Sequence, residues 1–387
     1  MNTRPQIAAY YFPNWHVDPR NERIHGPGWT EWEVVKCARP RFPGHRQPKI
    51  PLAGYEDEAD PAVMAKKIAL AADHGIDAFI FDWYHYDGAP FRQRALEDGL
   101  LKASNNSRIK FAIMWCNHDG RDLHPAKERD PSPYDAARIL YPGAVNAETF
   151  DLICDYCIRN YFTHSSYWTV DGVPYFSIYD LSRLIAGLGG RDTTRRALER
   201  FRAKTRAAGF SGLHLNGIVL ELAPLPGETA AFHPETEAAA LGFDSLTDYV
   251  WVHHYKTAPS DFPEVDYNIV RDGYFAAWRN LRIPGAIPRY PCVTMGWDAS
   301  PRTLQSDIWS NLGYPSMYCI KNNTPENFAS ALRLARDELP RRDLPAPFIS
   351  INAWNEWTEG SYLEPDTIHG TAFLEAIRDV FPLRQKP

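Results

Sequence analysis

The 387-residue sequence lacks several features that would place it in a functional class at once. It has six cysteines, no excess of positive charge (42 Lys and Arg against 48 Asp and Glu), and no apolar run approaching the roughly 18–20 residues that span a bilayer. So few cysteines predict a reduced chain without disulfide staples. A formal charge of −6 gives no electrostatic reason to expect nucleic acid. We therefore predict neither a membrane span nor a nucleic-acid partner.

Motifs for common cofactors and nucleophiles are also missing. There is no GxGxxG, GxxxxGK[ST], HExxH or GxSxG, and the first predicted strand does not end in HxH. Cys154 and Cys157 form a CxxC without a second pair. Residues 1–6 carry one arginine but no apolar segment of roughly 7–15 residues, so they do not resemble a secretory signal. We predict no metal, no cofactor and a cytoplasmic location.

Aromatic residues are abundant: 12 Trp, 20 Tyr and 19 Phe make up 13% of the chain. Many stand beside Pro, Gly, Asn, His and carboxylates and not inside apolar runs. Flat rings with polar handles suit ligands that have apolar faces and hydroxyl edges. Sugars are such ligands.

Short β-branched and aromatic runs alternate eight times with helical patterns, which is typical of parallel strands joined by crossover helices. The predicted strands are 7–12, 77–82, 109–115, 174–179, 213–219, 245–250, 291–295 and 348–353. The predicted helices include 61–74, 147–161, 193–208, 267–281, 325–339 and 369–380. We predict an α/β fold, a (β/α)8 TIM barrel in a single domain over 1–387.

The connections that follow strands are long, which has a functional meaning in a barrel. They cover 13–59, 117–146, 251–266 and 296–324. All four would gather at the C-terminal face, where barrel enzymes hold their sites.

Two carboxylates close the last predicted strand. Glu356 and Glu359 are three residues apart. Trp354 precedes both of them, and Trp357 lies between them. In a helix-like turn, both can face one cavity. Glycoside hydrolysis needs two carboxyl groups in different protonation states, and apolar walls raise the pKa of one of them. For an arbitrary ExxE, a helix cap or an arginine pair is the usual interpretation; the strand-end position and the two tryptophans favour catalysis.

Other strand ends change from apolar to polar-aromatic residues in the same way. Their convergence on one rim predicts a binding site more readily than packing does. The predicted contacts are Asp82, Trp83, Trp115, Asn117, His118, His254 and Trp297. The basic residues Arg39, Arg41, Arg46 and Arg92 are interpreted as solvated surface charge in preference to an acidic-glycan site.

The chain resembles the WbsX-like proteins, which are similar to glycoside hydrolase family 99. The matching segments are 10–16, 28–32, 38–40, 44–48, 74–84, 111–118 and 353–360. The resemblance implies a (β/α)8 barrel that cleaves α-linked mannose-containing glycans with retention of configuration. It also implies that Glu356 deprotonates the sugar 2-hydroxyl, giving a 1,2-anhydro sugar, and that Glu359 protonates the leaving oxygen. The family has His where this chain has Thr358, which puts the mannose specificity in question.

Further substrate contacts follow from the barrel and the resemblance. Tyr10 or Tyr11 is expected to hydrogen-bond Glu356 or the sugar, with Trp29 and Asn355 as additional contacts. Two alternatives stay open: a glycosyltransferase of polysaccharide biosynthesis, as these proteins are often labelled, and a non-catalytic carbohydrate-binding barrel. The sugar, its linkage and the oligomeric state are not predicted.

Overall fold

The computed structural model describes residues 4–122, 124, 138–220, 234–255, 258–280, 287–305, 308–339 and 346–383. Its centre is a sheet of eight parallel strands, the seventh of which is in two pieces. The strands are β1 (Gln6–Tyr11), β2 (Ala78–Tyr86), β3 (Lys110–Trp115), β4 (Val173–Ile178), β5 (His214–Val219), β6 (Ser245–Asp248), β7 (Arg289–Tyr290 and Cys292–Thr294) and β8 (Phe348–Asn352). Each overlaps a strand predicted from the sequence.

The strands follow one another around the sheet in chain order, and β1 lies between β8 and β2. In the register, Ile7 pairs with Ile349 and Tyr10 pairs with Ile80. Strand β7 divides at Pro291, which has no backbone N–H to donate to a ladder. The piece before Pro291 pairs with β6 and the piece after it pairs with β8, so this strand joins the two ends of the sheet. The predicted TIM-barrel fold is confirmed.

Helices cover the outside of the sheet. They are α1 (Pro19–His25), α2 (Trp32–Cys37), α3 (Pro61–Asp73), α4 (Ala147–Cys157), α5 (Leu181–Gly187), α6 (Arg191–Ala207), α7 (Pro234–Leu241), α8 (Tyr267–Asn280), α9 (Pro325–Glu338) and α10 (Ala372–Val380). The start of α3 follows its sequence signal: the Asp60 side chain accepts from the Ala62 N–H, and Pro61 occupies the first turn. Because helices cover it outside and side chains fill it inside, β2 is buried at all nine positions.

The structure refines several predicted boundaries. The helix predicted at 147–161 is α-helical to Cys157 and continues as a π-helix over Ile158–Phe162. The helix predicted at 369–380 begins at Ala372. The long connection 13–59 is not without structure, because it contains α1 and α2. Parts of the predicted connections 117–146, 251–266 and 296–324, and the end of the helix predicted at 267–281, lie outside the described residues.

None of the helices in the part of the chain that the structure describes is long and apolar enough to cross a membrane. The single-domain assignment stays a prediction.

Candidate active site

The turn after β8 carries the two candidate carboxylates. Asn355–Glu356 pairs with Ser361–Tyr362 as a short antiparallel ladder, and one 3-10 turn, Trp357–Glu359, connects them. Gly360 ends this turn at φ 63°, where a Cβ atom would lie 2.8 Å from Asp298 Cβ. Glycine is therefore required beside Glu359, since any side chain there meets both strain and a clash.

Both carboxylates face one cavity at the C-terminal ends of the strands. Its empty volume is about 720 Å³, including the solvent at its mouth. Aromatic rings form much of the wall, namely Phe12, Tyr84, Tyr86, Phe91, Tyr179, Tyr249 and Tyr314. The ionisable side chains on the wall are Asp82, Arg92, His118, Asp119, Arg121, His124, Arg302, Glu356 and Glu359. This is the amphipathic lining that a sugar ring needs.

Arg302 connects the two carboxylates. Its Nη1 is bonded to Glu359 Oε1, and its Nη2 lies 3.2 Å from Glu356 Oε2. The same Nη2 lies 3.1 Å from Glu31 Oε1. One buried guanidinium thus serves three buried carboxylates, two of which line the cavity.

Glu31 supports this cluster of charged side chains and is itself held by hydrogen bonds. It accepts hydrogen bonds from Thr358 Oγ1 at 2.6 Å and from Asn14 Nδ2 at 2.6 Å, and His124 Nε2 lies 3.1 Å away. Thr358 also accepts from Arg302 Nε at 2.9 Å. Thr358, where the resembling family has His, therefore faces this ionic network and is not part of the cavity wall.

Burial and charge give these carboxyl groups different acidities. Burial opposes the ionised form of Glu31, but His124 and Arg302 together hold its pKa well below the usual range. Burial and then the charge of Glu359 raise the pKa of Glu356 well above the usual range. Burial also raises the pKa of Glu359, against the opposing charge of Arg302. Because ionised Glu31 already offsets the charge of Arg302, burial and mutual repulsion favour a shared proton on the Glu356–Glu359 pair.

Asp82 and Tyr249 complete the acidic end of the cavity. The Tyr249 hydroxyl donates to Asp82 Oδ2 at 2.9 Å and lies 3.3 Å from Glu356 Oε1. Burial raises the pKa of Asp82 well above its usual range. Among the described residues, Asp82 Oδ1 and Glu359 Oε2 are buried and have no hydrogen-bond partner. Such atoms are rare in folded proteins, and on a cavity wall they are available to ligand hydroxyl groups.

Four of the predicted site residues line the cavity: Glu356, Glu359, Asp82 and His118. The alternating direction of side chains along a strand explains why Trp83 and Trp115, which were also predicted, do not line the cavity. Side chains in a strand point alternately to opposite faces, so Asp82 and Trp83 cannot both face inward. Trp83 donates to the Tyr161 hydroxyl at 2.9 Å behind the barrel wall, and Trp115 packs on Phe150 of α4.

The other predicted contacts support the site from behind. Tyr10 approaches Asp248 inside the barrel, and Tyr11 approaches Met64 of α3. Asn117 bonds the Asp180 backbone, and Asn355 bonds the Phe12 backbone and Glu58. His254 lies 3.4 Å from Asp248, Trp29 stacks on His25, and Trp297 stacks on Tyr314. None of these seven is on the described cavity wall, so their role as substrate contacts stays an untested prediction.

Sequence reasoning missed Arg302, Glu31, Tyr249 and Tyr314. Glu31 lies in the segment 28–32 that carried the resemblance, and Tyr249 lies just after β6, so both had a positional signal. Arg302 had none, since it follows β7 by eight residues in a 3-10 turn, Ser300–Arg302. Arg92, interpreted as solvated surface charge, lies on the cavity wall.

A second group of polar side chains lies outside this cavity. His45, Asp298 and Cys319 have possible ligand atoms within 4.8 Å of one another. However, Lys49 Nζ lies 3.1 Å from Asp298 Oδ2, and burial together with Asp298 raises the pKa of the Cys319 thiol well above its usual range. A metal needs the thiolate and would compete with this lysine. The group therefore fits an internal charge network better than a metal site.

Several solved structures superimpose on this fold, and two of them are as follows. A "glycoside hydrolase-like protein" superimposes with a TM-score of 0.62 at 13% identity, covering 98% of this chain and 94% of that chain. The GH99 endo-alpha-mannosidase from Bacteroides thetaiotaomicron, in complex with bis-tris-propane, gives a TM-score of 0.54 at 13% identity, covering 97% and 96%. At this identity, the comparison establishes the fold.

Sequence comparison gives the family. Two curated relatives, both called uncharacterized protein WxcX and both from Xanthomonas campestris pv. campestris, are 26% identical over 383 residues. These residues are 96% of this chain and 49% of each relative, so the chain spans about half the length of the curated relatives it matches. A family model described as "Glycosyltransferase WbsX" matches residues 7–377. The protein therefore belongs to the WbsX family.

Proposed function

We propose that the protein is a retaining glycoside hydrolase that acts on an α-linked oligosaccharide or polysaccharide. The observation that carries the proposal is the pairing of Glu356 and Glu359 on one arginine at the wall of an aromatic-lined cavity. Glycoside cleavage requires one carboxylate and one carboxylic acid beside the same bond. The shared proton of this buried pair supplies that combination.

The proposed steps assign a proton transfer to each glutamate. Glu356 removes the proton of the sugar 2-hydroxyl while O2 attacks the anomeric carbon, and Glu359 gives its proton to the leaving oxygen as the glycosidic bond breaks. Glu359 then removes a proton from water, which opens the 1,2-anhydro ring at the anomeric carbon, and O2 regains its proton from Glu356. Two inversions at that carbon give net retention.

The roles of the two glutamates follow the resemblance to family 99. The acidity of the pair adds a condition on where its proton is. Burial raises the pKa of both Glu356 and Glu359, and the charge of Glu359 adds to the rise at Glu356. Both carboxylates contact Arg302, so the proton belongs to the pair as a unit. The proposed chemistry requires that this proton is on Glu359 when the sugar is bound.

The test uses glycosides that differ in leaving group and in the 2-hydroxyl. Glu356→Gln and Glu359→Gln are each expected to slow cleavage of an unactivated glycan by about 10²–10⁴-fold. With a fluoride leaving group, which needs no proton, Glu359→Gln is expected to recover the bond-breaking step, read as fluoride release, and Glu356→Gln is not. A 2-deoxy glycoside is inert to the parent because it lacks the nucleophilic oxygen.

The matched control is Glu375→Gln, an exposed carboxylate on α10, which leaves the rate unchanged. Rates are measured as reducing sugar released, and the anomeric configuration of the first product is read by NMR. Full activity in both site variants, or cleavage of the 2-deoxy glycoside at the parent rate, contradicts the proposal. Recovery of Glu356→Gln alone on the fluoride reverses the two roles.

Glycosyl transfer is the second candidate, favoured by the description of the family model. The same two glutamates could pass the sugar to another sugar hydroxyl in place of water. A nucleotide-sugar donor would need a diphosphate anchor, and the sequence has no phosphate-binding glycine loop. Titration with nucleotide sugars separates the two: metal-dependent binding supports transfer from a nucleotide, and oligosaccharide release without any nucleotide effect supports hydrolysis.

A further inference from the structure

Arg92 occupies an unusual backbone position on the cavity wall. It follows the short strand Ala89–Phe91, which pairs antiparallel with the end of β2. Its φ angle is 59°, in the left-handed region that side chains other than Gly, Asn and Asp rarely adopt. Nothing about this hairpin requires an arginine there, so the side chain itself needs an explanation.

Three aromatic rings hold the guanidinium of Arg92. Its central carbon lies 4.7 Å from the centroid of Phe91, 5.0 Å from that of Tyr84 and 5.5 Å from that of Phe12. A guanidinium packed on aromatic faces still has its N–H groups available in its own plane. The rings therefore fix its orientation without satisfying its donors.

The Arg92 side chain has no anionic partner in the part of the chain that the structure describes. No carboxylate there lies within 4.0 Å of its guanidinium nitrogens, and Nε is buried without an acceptor. The other arginines of the cavity differ: Arg302 contacts three carboxylates, and Arg121 lies 4.0 Å from Asp119. A buried guanidinium N–H without an acceptor, such as Nε of Arg92, is costly unless a ligand supplies one.

We propose that the substrate is an anionic glycan and that Arg92 binds an oxyanion substituent of it. This inference rests on the proposed function for the glycan itself. The shared chemistry is a carboxylate, sulfate or phosphate group with two oxygens that accept from the planar fork of one guanidinium. The guanidinium carbons of Arg92 and Arg302 each lie 5.5 Å from the Phe12 centroid, so they are separated by no more than twice that distance. The charged substituent is therefore on the sugar ring beside the Glu356–Glu359 pair or on the adjacent ring.

Charge in the rest of the cavity makes the role of Arg92 measurable. Asp82, Glu356 and Glu359 lie on the same wall, and ionised members of this group repel an anion. With Arg92 present, an anionic sugar is expected to bind about tenfold or more tightly than its neutral counterpart. Without it, the preference is expected to be lost, since Asp82, Glu356 and Glu359 still repel the anion.

The experiment measures dissociation constants for matched sugar pairs by titration calorimetry at constant ionic strength. The pairs are glucuronate with glucose, galacturonate with galactose, and mannose 6-sulfate and mannose 6-phosphate with mannose. They distinguish the three sources of oxyanion. Preference for an anionic member in at least one pair is expected, and the absence of any such preference at the highest usable concentrations overturns the proposal.

Two variants locate the preference at Arg92. Arg92→Met keeps most of the apolar stem between the rings, and Arg92→Gly accepts a φ of 59° without strain, so at least one variant is expected to fold. Both are expected to lose the anion preference. Arg195→Met, which removes an exposed arginine on α6 that pairs with Glu199, controls for net charge and keeps the preference. A preference that survives in both Arg92 variants overturns the proposal.

The outcomes separate this inference from the proposed function. If anionic sugars are preferred through Arg92 but no glycan is cleaved, the anion site stands and the hydrolase proposal fails. If glycans are cleaved but no anionic ligand is preferred, the anion site fails alone. If Arg92→Gly moves the pH profile of cleavage equally for neutral and charged substrates, Arg92 only balances the charge of the glutamates, and the anion site is wrong.

Discussion

The contact between Arg302 and Glu31 sets the acidity of the proposed catalytic pair. An arginine beside two glutamates would ordinarily keep both of them ionised and leave no acid. Here, a third carboxylate that is not on the cavity wall takes up the charge of the guanidinium, and Asn14 and Thr358 hydrogen-bond it there. Glu31 is therefore a positioning residue that acts through Arg302, and its negative charge raises the pKa of both Glu356 and Glu359.

The Glu31→Gln variant tests this role through a pH profile. Loss of the Glu31 charge lowers the pKa of the pair, so the acid loses its proton at a lower pH. The alkaline limb of kcat/KM is expected to move down by roughly one pH unit, because that limb reports the acid of the free enzyme. Glu33→Gln is the matched control, because Glu33 is a half-exposed carboxylate in the first turn of α2, two residues from Glu31, and pairs with Lys36 at 3.0 Å. An unchanged or higher alkaline limb in Glu31→Gln would show that Glu31 does not tune the pair.

At the scale of elements, the turn after β8 is held by a buried network below the cavity. Glu364 accepts from the indole nitrogens of Trp354 at 3.0 Å and Trp357 at 2.7 Å, and it is paired with Lys67 of α3. Lys67 Nζ also lies 3.1 Å from Glu58 Oε1. Trp354, which precedes the two proposed catalytic residues, and Trp357, which lies between them, are thus anchors of the turn, and the network ties that turn to helix α3.

Glu364→Gln is expected to destabilise the fold by about 3 kcal/mol, since breaking this buried ion pair leaves Lys67 with Glu58 as its remaining anionic partner among the described residues. The amide cannot accept from both indoles on its two terminal atoms, because one of them is a donor. Urea unfolding measures the change. The control is Glu199→Gln, which removes an exposed i,i+4 pair with Arg195 and is expected to cost less than about 0.5 kcal/mol. Equal stability of Glu364→Gln and the parent would show that the network does not hold the turn.

The barrel could be predicted at this scale, whereas much of the site could not. A strand of a parallel barrel is buried on both faces, so several strands contain a short apolar run that is visible locally, as in residues 78–81 of β2. Glu356 and Glu359 were visible for the same reason, being three residues apart. Arg302 meets Glu31 from 271 residues away and Glu356 from 54 residues away, and no local pattern encodes such pairs. The face of the sheet to which a side chain points also depends on the exact strand register. The sequence therefore predicted Trp83 as a substrate contact together with Asp82.

At the scale of the whole molecule, stability on the acid side depends on buried histidines. Burial lowers the pKa of His16, His85 and His118 to about 4 and that of His253 to about 3. Each stays neutral in the folded protein while it takes up a proton in the unfolded chain below about pH 6.5. The stability is therefore expected to fall as the pH drops from about 6.5 to about 4.

Buried carboxyl groups whose pKa is raised change the stability with pH in the opposite direction. Burial raises the pKa of Glu58 to about 7, against the charge of Lys67. The folded state therefore binds a proton that the unfolded chain has released above about pH 4.5, and this contribution is lost as the pH rises through about 7. The net pH dependence of the parent is the sum of both kinds of group, so a single histidine must be isolated by substitution.

His16 is suited to that measurement, because neither ring nitrogen has a hydrogen-bond partner among the described residues. Between about pH 5 and about pH 6, it contributes about 1 kcal/mol per pH unit to the slope of unfolding free energy, with stability rising as the pH rises. His16→Asn and His16→Phe are both expected to lose that slope, although their stabilities at neutral pH will differ from each other. Urea unfolding at several pH values between about pH 5 and about pH 6 measures this slope. If either variant keeps the slope of the parent, His16 is not one of the groups that destabilise the barrel in acid.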